Sequence, residues 1–172
     1  MYDIENIYQP KTLQEALDIL DNKDNLVIIA GGTDVLIKLH HGELCGSELL
    51  SLRDIEDLKG ININEQGDIE IGSMSSFSDI FRSDIINENI YSLSEAAVSM
   101  GGPQVRNMAT IGGNVCNGAV SADSATTLFA LNAELLLRTK NGERIIPIKE
   151  FYLGPGKVSI LPNEIGRASC RE

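Results

Sequence analysis

Hydrophobic positions change period several times along the chain, and each change marks an element. Leu13, Ala16, Leu17 and Leu20 recur at helical spacing. Thr12 precedes them and Glu15 follows three residues later, a capping box that predicts a helix over residues 13–21. Leu26-Val27-Ile28-Ile29-Ala30 is short, apolar and β-branched, as a buried strand is. Gly31-Gly32-Thr33-Asp34 breaks that run, and Val35 to Leu39 resumes an amphipathic pattern. Leu49 to Leu52 reads as another short strand. Residues 1–56 therefore predict a β-α-β lobe, a small sheet with helical cover.

Beyond it, Ile61, Ile63, Ile69 and Ile71 alternate with polar residues around Gln66-Gly67, a hairpin signal. Ser78 to Phe81 and Ile90 to Met100 return to helical spacing. The second of these must end at Gly101-Gly102-Pro103. Ser124 to Leu131 predicts a further helix. Glu134–Thr139 and Arg144–Ile148 flank Asn141-Gly142, the strongest two-residue hairpin signal in the chain. Residues 57–165 thus predict a second lobe with antiparallel pairs, and the whole is of α+β class. Residues 166–172, Gly-Arg-Ala-Ser-Cys-Arg-Glu, do not continue the apolar pattern and read as an atypical tail.

Composition narrows the functions open to this fold. The chain has 172 residues, 42% of them hydrophobic and 23% charged, as expected of a globular domain. A net charge of −11 argues against nucleic acid and anionic membranes, which both need a Lys/Arg excess. No stretch approaches the roughly 18 apolar residues of a membrane span. The first residues are acidic where a signal peptide is basic. Cys45, Cys116 and Cys170 are widely spaced and form no CxxC pair, so neither a disulfide framework nor a zinc site is expected. A cytoplasmic address is the expectation. There is no tryptophan, so an aromatic cofactor would rest on backbone and aliphatic groups more than on stacked rings.

Two polar Gly-Gly segments carry the candidate chemistry. At Gly31-Gly32 consecutive glycines let the backbone approach a ligand and free its N–H groups as an anion-binding nest. Thr33 adds a hydroxyl, and Asp34 is placed to cap the segment after it. A ligand-free strand-to-helix turn accounts for Gly-Gly-Thr-Asp equally well. The segment is neither GxGxxG nor GxxxxGK[ST]. At Gly112-Gly113, Thr110, Asn114 and Asn117 supply short polar groups, and Asp123 a carboxylate suited to a ribose hydroxyl or to a helix N-cap. One phosphate of a pyrophosphate per segment needs no basic residue if enough amides converge. Arg106 is assigned a structural role, in a salt bridge or bonded to carbonyls, Cys116 a packing role, and His40 and His41, lacking partner ligands, no metal.

These residues resemble a known family. Ala30-Gly31-Gly32-Thr33-Asp34-Val35-Leu36 looks like the first phosphate loop of the FAD-binding subunits of molybdenum hydroxylases. Gly102 through Asn117, running on to Thr126, looks like the second, and the likeness covers about residues 1–165. Leu39-His40-His41 and Phe151 through Lys157 look most like bacterial xanthine dehydrogenase FAD-binding subunits. The resemblance implies a flavin domain of the vanillyl-alcohol-oxidase/PCMH type, two α+β lobes with FAD between them.

It also implies partner subunits carrying [2Fe-2S] clusters and the molybdenum cofactor, with electrons passing through FAD to NAD+. By motif position, Val27, Ile28, Ile29, Ala30, Gly31, Gly32, Thr33 and Asp34 would wrap the pyrophosphate from one side. Ala109, Thr110, Ile111, Gly112, Gly113 and Asn114 would wrap it from the other. Asp123 would hold the adenosine ribose, and Ile165 would be an apolar contact. No side chain is required as acid, base or nucleophile, because the flavin carries the redox chemistry. The family continues past residue 165 into a further flavoprotein domain, so the chain is expected to be truncated. The alternatives are a non-catalytic remnant, or the FAD subunit of an aldehyde, CO or nicotinate relative.

Overall fold

The computed structural model describes residues 3–119, 122 and 124–170, with side chains as far as 166. The first lobe contains β1 (Ile4–Tyr8), α1 (Leu13–Asn22), β2 (Leu26–Ile29), α2 (Val35–His40) and β3 (Ser47–Ser51). Its three strands run parallel in the order β1-β3-β2. The Thr12 hydroxyl accepts the Glu15 N–H and the Glu15 carboxylate accepts the Thr12 N–H, so the capping box forms as the sequence predicts. The helical stripe Leu13, Ala16, Leu17 and Leu20 is buried with Leu50, Leu52, Ile55 and Leu58. Ile165 joins this core from far along the chain.

The second lobe opens with the hairpin β4 (Ile61–Ile63) and β5 (Ile69–Ile71). Helices follow: α3 (Phe77–Arg82), α4 (Asp84–Asn89), α5 (Tyr91–Ser99), α6 (Pro103–Met108), α7 (Ile111–Asn117) and α8 (Ala125–Ala130). The chain then forms β6 (Glu134–Thr139), β7 (Gly142–Pro147), α9 (Ile148–Phe151), β8 (Tyr152–Gly154), β9 (Lys157–Val158) and β10 (Ile165–Cys170). Five strands make an antiparallel sheet in the order β4-β5-β10-β6-β7. Phe77, Ile80, Ile86, Leu93, Leu128, Leu137 and Phe151 fill its core.

The α+β class expected from the pattern is what the chain adopts, with three differences. Pro103 does not merely end a helix. It sits at the first position of α6, where its missing N–H costs nothing. Gly112 and Gly113 lie in the first turn of α7 rather than in a loop. The largest difference is at the end of the chain, where residues 165–169 pair with β6 and residues 168–170 with β5, so that β10 is the middle strand of the sheet. Ala168 is opposite Ile71 on one side and Leu135 on the other. Backbone groups make those ladders, so Gly-Arg-Ala-Ser-Cys can take a central position with no apolar alternation to announce it.

Candidate functional site

Strand alternation sets the floor of a cleft between the lobes. Side chains of β2 point to opposite faces in turn. Leu26, Ile28 and Ala30 line the cleft, whereas Val27 and Ile29 do not. The cleft has a volume of about 740 Å³, within the range of roughly 300–1,000 Å³ usual for small-molecule sites. Gly31, Gly32, Thr33 and Asp34 continue its wall, and Ala109, Thr110, Gly112, Gly113 and Asn114 face them. Ile165 closes it from β10. Ile111 is fully buried in the second core instead. Asp123 lies outside the described residues.

The two Gly-Gly segments touch each other. A Cβ on Gly31 would lie 2.7 Å from the carbonyl carbon of Met108 and closer still to its oxygen. Gly31 is thus required by the approach of two pieces of backbone, before any ligand is considered. Gly112 is required in the same way, since its Cβ would sit 2.5 Å from Ser73 Cβ and 2.7 Å from Ser73 O.

Their amides differ. The N–H groups of Gly31, Gly32, Thr33, Asp34 and Val35 find no acceptor among the described residues. Asp34 occupies the N-cap position of α2 but makes no side-chain cap, contrary to the role the sequence suggested. In the second segment every corresponding donor is taken. Ile111 N–H donates to Ser75 O at 3.1 Å and Gly112 N–H to Ser73 O at 3.0 Å. Gly113 N–H donates to Thr110 Oγ1 at 3.2 Å and Asn114 N–H to Thr110 O at 2.9 Å. Among the described residues, a run of consecutive amides without acceptors, the makings of an anion nest, is therefore found in the first segment and not over Ile111 to Asn114. The second contributes shape, together with the side chain of Asn114, whose Oδ1 accepts from the buried Ser124 hydroxyl at 2.8 Å.

Sequence reasoning missed several walls of the cleft. Ser73 and Met74 enter from the turn after β5, and Ile160, Leu161, Pro162 and Glu164 from the stretch before β10. Ser73 Oγ is buried without a partner among the described residues. Glu164 is 1% exposed and accepts from Arg144 Nε at 2.6 Å and Arg144 Nη2 at 2.9 Å. Burial by itself would raise its pKa, but the Arg144 guanidinium and the Leu161 N–H together hold the carboxyl below its ordinary value. Twenty residues separate the two partners, so no spacing in the sequence signals the pair. Cys116 also borders the cleft, and burial pushes its thiol up to about 11, in keeping with a packing role. Arg106 donates to the carbonyls of Val98, Met100 and Gly101, the structural part the sequence gave it.

Among the described residues lining the cleft there is no Lys, Arg or His. An anion held here must be held by backbone amides, and Gly31 to Val35 supply them. Leu26, Ile28, Leu52, Met74 and Ile165 give apolar walls suited to flat rings. Such a donor set fits a pyrophosphate-linked dinucleotide. No group of three or more His, Cys, Asp or Glu among the described residues could hold a metal ion. No described helix is long and apolar enough to cross a membrane.

The fold and cleft define a flavin-dinucleotide domain. Residues 2–167 match the family described as FAD binding domain in molybdopterin dehydrogenase, and the chain belongs to that family. It is 40% identical over 165 residues to the xanthine dehydrogenase FAD-binding subunit of Escherichia coli, covering 96% of this chain and 56% of that one. It is 32% identical to the nicotinate dehydrogenase FAD-subunit of Eubacterium barkeri, over 91% of this chain and 53% of the relative. Carbon monoxide dehydrogenase from Hydrogenophaga pseudoflava superposes with a TM-score of 0.91 at 29% identity, over 95% of this chain and 57% of that structure's chain. The chain spans about half the length of the curated relatives it matches.

Proposed function

We propose that this chain is the FAD-binding part of the electron-transfer subunit of a xanthine dehydrogenase-type molybdenum hydroxylase. In this reading it works in the cytoplasm with partner subunits that carry [2Fe-2S] clusters and the molybdenum cofactor. Electrons leave the clusters through this subunit for NAD+. The chain by itself is inactive towards purine. The higher identity to a xanthine dehydrogenase subunit than to a nicotinate dehydrogenase subunit, 40% against 32%, favours the purine-oxidising class.

One observation carries the cofactor assignment: five consecutive residues whose amides have no acceptor among the described residues line a cleft with the second Gly-Gly segment, and no described residue of that lining is basic. FAD, when bound, supplies the redox chemistry. The residues of the chain bind and orient it. Gly31, Gly32, Thr33 and Asp34 offer amides to the pyrophosphate, and Thr33 adds a hydroxyl. Ala109, Thr110, Gly112, Gly113 and Asn114 form the opposite wall, Ile165 an apolar contact, and Asp123 is assigned to the ribose. Val27, Ile29 and Ile111 act from behind, by packing the backbone that carries these groups.

Gel filtration of the purified chain after addition of FAD tests the cofactor assignment. Flavin absorption is expected to travel with the protein, and a folded sample that emerges without it overturns the assignment. Turnover of the assembled complex with xanthine and NAD+ tests the rest. Turnover of nicotinate, CO or an aldehyde in place of xanthine would move the chain to a sister enzyme.

A further inference from the structure

The stretch from Ser159 to Glu164 walls the cleft without belonging to a sheet. Ile160, Leu161, Pro162 and Glu164 line the cavity, and Ile165 begins β10 directly after them. No ladder among the described residues holds this strap. One backbone tie joins Ser159 N–H to Phe151 O at 2.7 Å, and another closes its own turn from Glu164 N–H to Leu161 O at 3.0 Å. The remaining ties converge on one ion pair. Arg144, on β7 opposite Leu137 of β6, donates through Nε to Glu164 Oε1 and through Nη2 to both Glu164 Oε2 and the Ser159 carbonyl. Glu164 Oε2 also accepts the Leu161 N–H at 2.8 Å. One guanidinium and one carboxylate thereby fix the strap near its start, its middle and its end.

We propose that Arg144 is a positioning residue for the cofactor cleft, holding the 159–164 strap in place from outside the cavity. The inference rests on the reading of the cleft as the FAD site. Arg144 does not line the cleft; it acts through Glu164. The planar fork fixes both distance and orientation of the carboxylate, which a single ammonium does not. Without Arg144 the carboxylate of Glu164 is a buried charge stripped of its cation. Swinging to water relieves that charge and draws Leu161 and Pro162 away from the cleft.

The test uses the purified chain and its Arg144→Gln and Arg144→Lys variants. FAD affinity is read by flavin fluorescence, and backbone hydrogen exchange is read over residues 159–164. Arg144→Gln is expected to raise the FAD dissociation constant at least about tenfold. It should also speed exchange in 159–164 about tenfold while leaving exchange in β6 unchanged. Arg144→Lys should fall between it and the wild type. Arg138→Gln removes an exposed pair with Glu143 on the same hairpin and should change neither reading. If wild type binds FAD and Arg144→Gln binds it equally well, the positioning role is overturned while the cofactor assignment stands. Should wild type fail to bind FAD, the cofactor assignment fails, and exchange alone decides whether Arg144 holds the strap. Exchange that rises equally in β6 and the strap, or in neither, overturns the proposal. Arg144→Lys gives the same reading should Arg144→Gln not fold.

Discussion

Gly31→Ala is the sharpest perturbation the structure offers, because it adds one methyl where two backbones meet. The new Cβ would lie 2.7 Å from the Met108 carbonyl carbon, against 3.4 Å where ordinary contact begins. The Met108 oxygen lies nearer still, so the strand-to-helix turn and the α6–α7 connection must part by more than the ~0.7 Å that the carbon alone demands. Neither neighbour is the end of a flexible side chain, so the strain falls on backbone. Overpacking of this kind costs about 1–3 kcal/mol. With an m-value of about 2 kcal/mol/M in urea, the unfolding midpoint should drop by about 0.5–1.5 M. The same displacement spreads the two walls of the cleft, so FAD affinity should fall with it.

Gly113→Ala is the matched control. Its Cβ would meet only Thr110 Oγ1 at 3.0 Å and Ala30 Cβ at 3.6 Å, and it stands in a helix, where Ala is favoured over Gly by about 1 kcal/mol. Its midpoint should stay within about 0.5 M of wild type. Urea titration followed by circular dichroism, with a parallel FAD titration, measures both variants. A Gly31→Ala protein that unfolds at the wild-type midpoint and binds FAD normally would refute the claim that these segments are in contact.

Three further outcomes are expected. Glu164→Gln should cost about 2–3 kcal/mol at neutral pH, less than for a fully buried pair because Arg144 is partly exposed. Since the folded carboxyl titrates below its ordinary value near 4.5, the wild-type advantage is complete above that pH and fades as pH falls through the lower folded value. A gap between the two proteins that is unchanged at pH 3 contradicts the ion-pair account. At pH 8 iodoacetamide should label the exposed Cys45 well ahead of Cys116, whose thiol is pushed up to about 11; equal rates by peptide mass spectrometry would show the Cys116 thiol to be accessible. Thr12→Ala removes one half of the capping box and should lower stability by about 1 kcal/mol with FAD affinity intact. An affinity that falls along with stability would tie α1 to the cleft in a way the structure does not.

The local features of this protein were determined by its sequence. The stripe Leu13, Ala16, Leu17, Leu20 with its capping box, the run Leu26 to Ile29 and the Asn141-Gly142 hairpin each encode an element through periodicity and turn chemistry, and each appears where expected. The family was reached through the resemblance of the longer motifs Ala30 to Leu36 and Gly102 to Thr126, not through the paired glycines alone. Tertiary structure decided what those glycines do. Gly31 and Gly112 accommodate neighbouring backbone at Met108 and Ser73, contacts between residues far apart in the chain. It also decided which amides are taken, because Ser73, Ser75 and Thr110 accept those of Ile111 through Asn114 and nothing described takes those of the first segment. The Arg144–Glu164 pair and the central place of β10 were equally hidden. Periodicity records which face of an element is buried, but pairing across long loops depends on backbone hydrogen bonds and on partners that meet only once the chain has folded.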